Sequence, residues 1–352
     1  MCGIVGYIGD ENATGIIIDG LKKLEYRGYD SSGIALVTKD HELIVRKKKG
    51  RIANLEELIA GEDLYANLGI GHTRWATHGA PSDVNAHPHT DMSGRIAVVH
   101  NGIVENYLAL KEWLIKEHNV VFKSETDTEI IAQLIGVLYD GDIEEAVRKA
   151  VEKMQGAYGI GVICRDEPDK MIAVRKDSPL IVGLGQGCNF IASDIPALLK
   201  YVRQIYLIEN NEMVVLTAND VKIYNADHEE VHRDVFNVTW DADAAEKEGY
   251  DHFMLKEIHE QPKGIRDTLV RRMDENGEIV LDGIKLTKED IEGFNKVYIV
   301  ACGTAYHAGL IGKFAIEKLA KISVEVDVAS EFRYRDPFID DKTLFIAISQ
   351  SG

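Results

Sequence analysis

The first nine residues, Met1-Cys2-Gly3-Ile4-Val5-Gly6-Tyr7-Ile8-Gly9, constrain this chain more than any other stretch. They form an apolar, β-prone run, which predicts a buried strand beginning almost at the first residue. Cys2 then stands at the start of that strand. A methionine followed by a small side chain is normally trimmed, which would leave Cys2 carrying both a thiol and a free α-amine. The ordinary pKa values of these groups are about 8.5 and about 7.8, so an unprotonated amine can take the thiol proton directly or through water. Cys2 is therefore either a nucleophile that brings its own base or a structural cysteine that happens to follow methionine. The rest of the chain has to decide.

A chain of 352 residues exceeds what one core usually organises and suggests two domains. With 40 basic and 58 acidic side chains the net charge is -18, which argues against a broad nucleic-acid or anionic-membrane surface. No apolar run is long enough to span a bilayer, and the amino terminus lacks a signal-peptide pattern, so the expected location is cytoplasmic. Cys2, Cys164, Cys188 and Cys302 have neither metal-type spacing nor disulfide-framework density, which fits a reducing compartment.

Helical spacing covers residues 12–26, with Asn12 as the cap, and then a turn rich in Gly, Asp and Ser. Strands at 33–38 and 42–48, a helix at 52–59 and a strand at 66–74 follow. That strand opens into a loop carrying Arg74, Trp75, Thr77, His78, His87 and His89, a density of chemistry that loops seldom carry without function. A strand over 96–99 delivers His100-Asn101-Gly102, and helices are expected at 105–118, 130–139 and 143–154. From 157 to about 238 the pattern is of short strands, at 158–164, 171–175, 180–184, 205–207, 213–216 and 221–224. The acidic, Ala-rich stretch 240–250 reads as a linker, and a helix follows at 252–273. Strands at 297–301, 323–328 and 344–348, with a helix at 305–321, announce a doubly wound parallel sheet that is unfinished at Ser349-Gln350-Ser351-Gly352.

The five histidines from His72 to His100 invite a metal reading, yet no carboxylate or thiol stands at ligand spacing, and Arg74 would set a fixed positive charge beside the ion. Arg74 suits a carboxylate clamp, because its planar fork can hold both oxygens of an amino acid. Asp127, at a helix start, could complement an ammonium. An internal Arg–Asp ion pair is the competing reading. Asn101-Gly102 offers the two donors of an oxyanion hole, or else an ordinary hairpin turn. Cys302-Gly303-Thr304 and Ser349 to Gly352 set hydroxyls and N–H groups at strand ends, as either phosphate sites or plain helix caps.

Taken together, Cys2 to Gly6, Glu25 to Ser31, Thr73 to Gly79, Asn85 to His89, His100 to Gly102 and Ser124 to Glu129 closely resemble the glutaminase domain of the glutamine:fructose-6-phosphate aminotransferase (glucosamine-6-phosphate synthase) family. Cys302 to Thr304, Ala329 to Arg335 and Ser349 to Gly352 look like the opening of that family's sugar-isomerase domain. The resemblance implies an α+β N-terminal-nucleophile fold, an αββα sandwich over residues 1–240, then a linker and connecting helix at 241–290. An incomplete α/β doubly wound sugar-isomerase (SIS) domain would occupy 291–352, ending inside that domain.

The resemblance also implies the roles. Cys2 attacks the glutamine side-chain amide, while Asn101 and Gly102 stabilise the oxyanion. Arg74 and Thr77 hold the substrate carboxylate, Asp127 its ammonium, and Arg27 orients the amino terminus. Trp75 and His78 belong to a lid. Cys302, Gly303, Thr304, Ser349, Gln350 and Ser351 bind the sugar phosphate, with Ala305 standing where many relatives place a hydroxyl. Implied substrates are L-glutamine and D-fructose 6-phosphate, with no metal or organic cofactor, no nucleic acid, no membrane, and a homodimer for the complete enzyme. Glutaminase activity is the expectation for this chain alone. Rival readings are an amidophosphoribosyltransferase-like enzyme and a non-catalytic sugar-phosphate-binding module.

Overall fold

The opening apolar run is the strand β1 (Gly3–Gly9), and every residue of it is buried. The computed structural model describes residues 2–76, 79–239, 250–270, 272–274, 277, 279–281, 284 and 286–349. Contacts gather the chain into two units, Met1–Phe253 and Met254–Gly352. The proposed linker lies outside the described residues over 240–249.

In the first unit, α1 (Ala13–Leu24) begins where the Asn12 side chain accepts from the Thr14 N–H, and it ends in a 3-10 turn over Glu25–Arg27. β2 (Ser31–Val37) and β3 (Leu43–Lys49) form a hairpin. Next comes α2 (Ile52–Ile59), whose first N–H is satisfied across sequence by the Glu25 carboxylate, 2.9 Å away. Then follow β4 (Leu68–Arg74), the two-residue β5 (His89–Thr90) and β6 (Ile96–Val104). Three helices come in succession: α3 (Tyr107–His118), α4 (Asp127–Leu138) and α5 (Ile143–Lys153). Thr126 caps α4 by accepting from Glu129 N–H, which starts that helix three residues before the position expected from periodicity.

The remaining strands are β7 (Gly156–Cys164), β8 (Met171–Lys176), β9 (Ile181–Leu184), β10 (Cys188–Ala192), β11 (Gln204–Leu207), β12 (Glu212–Leu216), β13 (Val221–Tyr224), β14 (Glu230–Val231) and β15 (Phe236–Asn237). β10 was not anticipated, because the glycines at 185 and 187 make its approach look like a loop. They join two sheets. One runs β15-β11-β9-β10-β1-β4-β2-β3 and the other β14-β13-β12-β8-β7-β6-β5, antiparallel throughout.

Strand parity assigns the layers, since alternate side chains face opposite ways. From β1, Val5 and Tyr7 pack with α1 and α2, whereas Ile4 and Ile8 meet Val99 and Ile163 of the other sheet. The far face of the second sheet packs on α3, α4 and α5 through Val98, Leu114, Ile131 and Val147. The result is four layers, helix, sheet, sheet, helix. Among the described residues no helix is long and apolar enough to cross a membrane.

In the second unit, α6 (Phe253–Val270) contains Pro262, and α7 (Lys288–Gly293) opens with a capping box between Thr287 and Asp290. β16 (Lys296–Ala301), α8 (Gly303–Leu319), β17 (Ser323–Val328), α9 (Ala329–Phe332) and β18 (Thr343–Ile348) follow. The sheet order is β17-β16-β18, all parallel, around Val297, Ile299 and Val324.

Gly33 in β2 shows how tightly the loop 83–88 lies against the first sheet. A Cβ there would overlap the His87 carbonyl oxygen and come within 2.6 Å of Lys47 Cβ and 2.9 Å of Arg46 O. Gly33→Ala is expected to destabilise the first unit by about 1–3 kcal/mol, because backbone atoms must move to admit the methyl group. Urea unfolding of the two proteins checks this, and equal midpoints would refute it.

Candidate active site

The site lies where β1 begins beside the end of β4, facing Asn101 within β6. The register Gly3↔Thr73 sets Cys2 beside the segment leaving β4. The Cys2 Sγ accepts the Trp75 N–H at 3.2 Å and lies 3.6 Å from the Trp75 carbonyl. Burial pushes the thiol pKa up, against the lowering effects of the Trp75 N–H and the Arg74 guanidinium. The sulfur is therefore a protonated thiol near neutral pH, and its reaction as a nucleophile requires a base.

Parity explains who meets Cys2. On β4, Leu68 and Ile70 face the second sheet, so His72 and Arg74 do too; on β6, Ala97 and Val99 face the first sheet, and so does Asn101. Two bonds then cross between the layers. Asn101 Nδ2 donates to the Cys2 carbonyl at 3.1 Å, and His72 Nε2 lies 2.9 Å from Asn101 Oδ1 and 3.0 Å from His100 O. Burial pulls the His72 pKa down to about 3, so the ring is neutral. Both neighbours of Nε2 are acceptor oxygens, which places the single ring proton on Nε2.

Asn101-Gly102 is not a hairpin turn. β6 runs straight through it, pairing Asn101 with Gly159 and Gly102 with Tyr158. Gly102 has φ 127°, and a Cβ there would overlap the Ala157 carbonyl oxygen, so glycine is required by both conformation and space.

Arg74 is 4% exposed, and its Nη2 donates to Gly79 O at 3.1 Å. Burial lowers its pKa, and the nearby Cys2, Asp127 and Asp30 oppose that shift. Asp127, 7% exposed at the first position of α4, accepts the Val104 N–H at 2.9 Å. Trp75 is 45% exposed and stands edge-on to Tyr29, centroids 5.6 Å apart. Arg27 closes the 3-10 turn, its side chain lying outside what is described, and Thr77 and His78 lie outside the described residues.

Two residues went unrecognised as parts of this site. Asp30 accepts the Ala76 N–H at 2.8 Å, and its own N–H donates to Arg74 O at 3.0 Å, so it anchors the chain on both sides of Trp75. His72, which the sequence presents only as one of five histidines, is a polar residue at an interlayer position two before Arg74, and that parity is the signal that marks it.

His87, His89 and His100 are buried, the last two with hydrogen bonds from their rings. The His87 ring packs at a tilt of 30° against His72 with centroids 4.2 Å apart, His89 Nε2 lies 3.0 Å from Thr126 Oγ1, and His100 Nδ1 lies 2.9 Å from Thr128 Oγ1. Lys47 Nζ donates to the carbonyls of Val84 and Ala86 at 3.0 and 2.8 Å and so holds the loop that carries His87. Among the described residues, no group of three or more His, Cys, Asp or Glu is placed to hold a metal ion.

In the second unit Cys302 precedes α8, Gly303 and Thr304 form its first turn, and Ser349 follows β18. The parallel register Ala301↔Ile348 brings both loops to the same sheet edge, and β16 lies between β17 and β18, a switch point where ligands of such sheets bind. Gln350 and Ser351 lie outside the described residues.

Burial drives the pKa values of His72, His87, His89 and His100 below the ordinary 6.5. The unfolded chain thus takes up protons that the folded chain refuses. The stability concerned is fully present above pH 6.5 and is lost as pH falls towards about 3, the His72 value. His72, whose pKa falls to about 3, should by itself withdraw about 2 kcal/mol between about pH 6.5 and about pH 5, and the other three act in the same direction. Urea midpoints across that range check it, and a midpoint independent of pH would contradict it.

Comparison with known proteins agrees with this geometry. Residues 72–200 match the glutamine amidotransferase domain and residues 291–352 the SIS domain. Over 352 residues the chain is 59% identical to the glutamine–fructose-6-phosphate aminotransferase (isomerizing) of Clostridium tetani, covering 100% of this chain and 58% of that one. For the enzyme of the same name from Aquifex aeolicus the identity is 54%, with 100% and 58% covered. The chain thus spans little more than half the length of these relatives. Among solved structures, the glutamine phosphoribosylpyrophosphate amidotransferase of B. subtilis, complexed with ADP and GMP, aligns with a TM-score of 0.60 over 92% of this chain and 65% of that one. At 19% identity that likeness is one of fold. A two-sheet sandwich bearing the glutamine amidotransferase match, followed by a parallel sheet bearing the SIS match, makes this chain similar along its whole length to the glutamine–fructose-6-phosphate aminotransferases.

Proposed function

We propose that this chain hydrolyses L-glutamine to glutamate and ammonia, with Cys2 as nucleophile. In the longer proteins of the family, that ammonia would convert D-fructose 6-phosphate to D-glucosamine 6-phosphate. The observation that carries the reading is the Cys2 thiol held by the Trp75 N–H at 3.2 Å, while the Asn101 carboxamide donates to the same residue's carbonyl at 3.1 Å.

Removal of Met1 frees the Cys2 amine, which takes the thiol proton; the thiolate forms a bond to the glutamine Cδ, and the carbonyl electrons move onto oxygen. The Asn101 Nδ2 and the Gly102 N–H stabilise that oxyanion. The protonated amine then gives its proton to the departing nitrogen, the C–N bond breaks, and ammonia leaves a γ-glutamyl thioester. Water, deprotonated by the same amine, attacks the thioester; the C–S bond breaks and glutamate is released with the thiol restored. The raised thiol pKa supports this division of labour, because a thiol that does not ionise by itself needs an adjacent base.

In this reading Arg74 and Thr77 hold the substrate carboxylate, Asp127 its ammonium, and Arg27 the new amino terminus. Trp75 and His78 close over the thioester. Cys302, Gly303, Thr304, Ser349, Gln350 and Ser351 belong to the sugar-phosphate site. The glutaminase domain occupies 1–240, the linker and connecting helix 241–290, and the SIS portion 291–352. The complete protein is a cytoplasmic homodimer that needs no metal or organic cofactor.

Cys2→Ala should reduce glutamate release to background, and turnover at the parent rate would overturn the proposal. Asn101→Ala should lower kcat by about 10²–10³ with little change in KM, as expected for a donor used in the transition state. Steady-state glutamate release checks this, and a raised KM at unchanged kcat would remove Asn101 from the oxyanion site.

A further inference from the structure

We infer that His72 is a positioning residue for glutamine hydrolysis: its Nε2–H fixes the Asn101 carboxamide with the NH2 group, rather than the oxygen, towards Cys2. This rests on the glutaminase reading above.

A carboxamide is nearly two-fold symmetric in shape, so a flip exchanges donor and acceptor at little steric cost. The consequence for chemistry is large. An NH2 facing the developing oxyanion stabilises it, whereas a carbonyl oxygen there repels it. In the structure two contacts orient the group: Nδ2 donates to Cys2 O at 3.1 Å, and Oδ1 faces His72 Nε2 at 2.9 Å. When Nδ2 turns from the Cys2 carbonyl to the oxyanion, the first contact is given up. The bond from His72 remains.

His72 is built for that task. Its ring is buried, sits 4.2 Å from the His87 ring, and bonds the backbone carbonyl of His100 as well as Asn101. Its Nδ1 is buried and, among the described residues, has no hydrogen-bond partner. Moving the ring proton to Nδ1 would therefore bury an unpaired donor and withdraw the bond from Oδ1, so a single tautomer serves. A lysine or arginine at this place would bring a buried charge beside Arg74; a neutral imidazole supplies the donor without one.

Two substitutions separate this role from simple packing. In His72→Gln the amide nitrogen reaches the position of Nε2, whereas in His72→Asn it falls short. The Gln variant should keep kcat within about threefold of the parent, and the Asn variant should lose about tenfold or more with KM for glutamine unchanged. In an Asn101→Ala background, His72→Asn should cost nothing further. Equal kcat for the Gln and Asn variants, or losses that multiply in the double variant, would overturn the assignment. Should both variants fail to fold, ¹⁵N NMR of the unsubstituted chain still decides, the Nε2–H tautomer being expected and an Nδ1–H or charged ring overturning it. Cys2→Ala is the control for the underlying reading. If it still releases glutamate, the glutaminase proposal fails; if it is inactive while His72→Asn is undiminished, only the role of His72 is lost.

Discussion

Alternation of side chains along antiparallel strands is the constraint on which the site depends. It sends Cys2, His72 and Arg74 from one sheet and Asn101 from the other into the layer between them, at one end of the sandwich. Farther in, the same positions carry Ile4, Ile70 and Val99, which form the apolar interlayer. A hydrophobic core thus ends in a polar rim without any change in backbone geometry. The hydrogen bonds His72–Asn101 and Asn101–Cys2 continue, in polar form, the contacts that hold the sheets together.

This placement has an electrostatic consequence. A buried rim cannot tolerate many charges, and the residues here divide the work accordingly. Neutral imidazoles supply much of the hydrogen bonding, paired with hydroxyls, a carbonyl and a carboxamide. Among the described residues, the charged Arg74, Asp127 and Asp30 have partners that include backbone groups on the loops they organise. The thiol stays protonated until a base acts on it. The frame is thus built mainly from neutral groups, with its charged side chains tied to backbone groups of the surrounding loops.

The second unit reaches its candidate site by a different rule. Its three strands are parallel, so the loops after β16 and β18 open on one edge beside the amino terminus of α8. There the first backbone N–H groups of α8 lie at the same end of the sheet as Ser349. One chain therefore carries an antiparallel interlayer that ends in polar side chains and a parallel sheet whose strand ends open beside a helix amino terminus.

By itself the sequence determined the local structure and the parity. The apolar run of β1, the Asn12 cap, the helix Ile52–Ile59 and the parallel repeat from Lys296 were legible because propensity and periodicity act over a few residues. The chemistry of Cys2, Arg74, Asn101 and Asp127 was legible as residue types in motifs. Tertiary structure alone decided how they meet. It carried β6 through Asn101-Gly102 instead of turning there, because pairing with β7 outweighs the local preference of Asn-Gly for a hairpin. It also made His72 a hydrogen-bond donor to Asn101, since that bond joins residues 29 apart on two sheets, a separation that no local pattern can register.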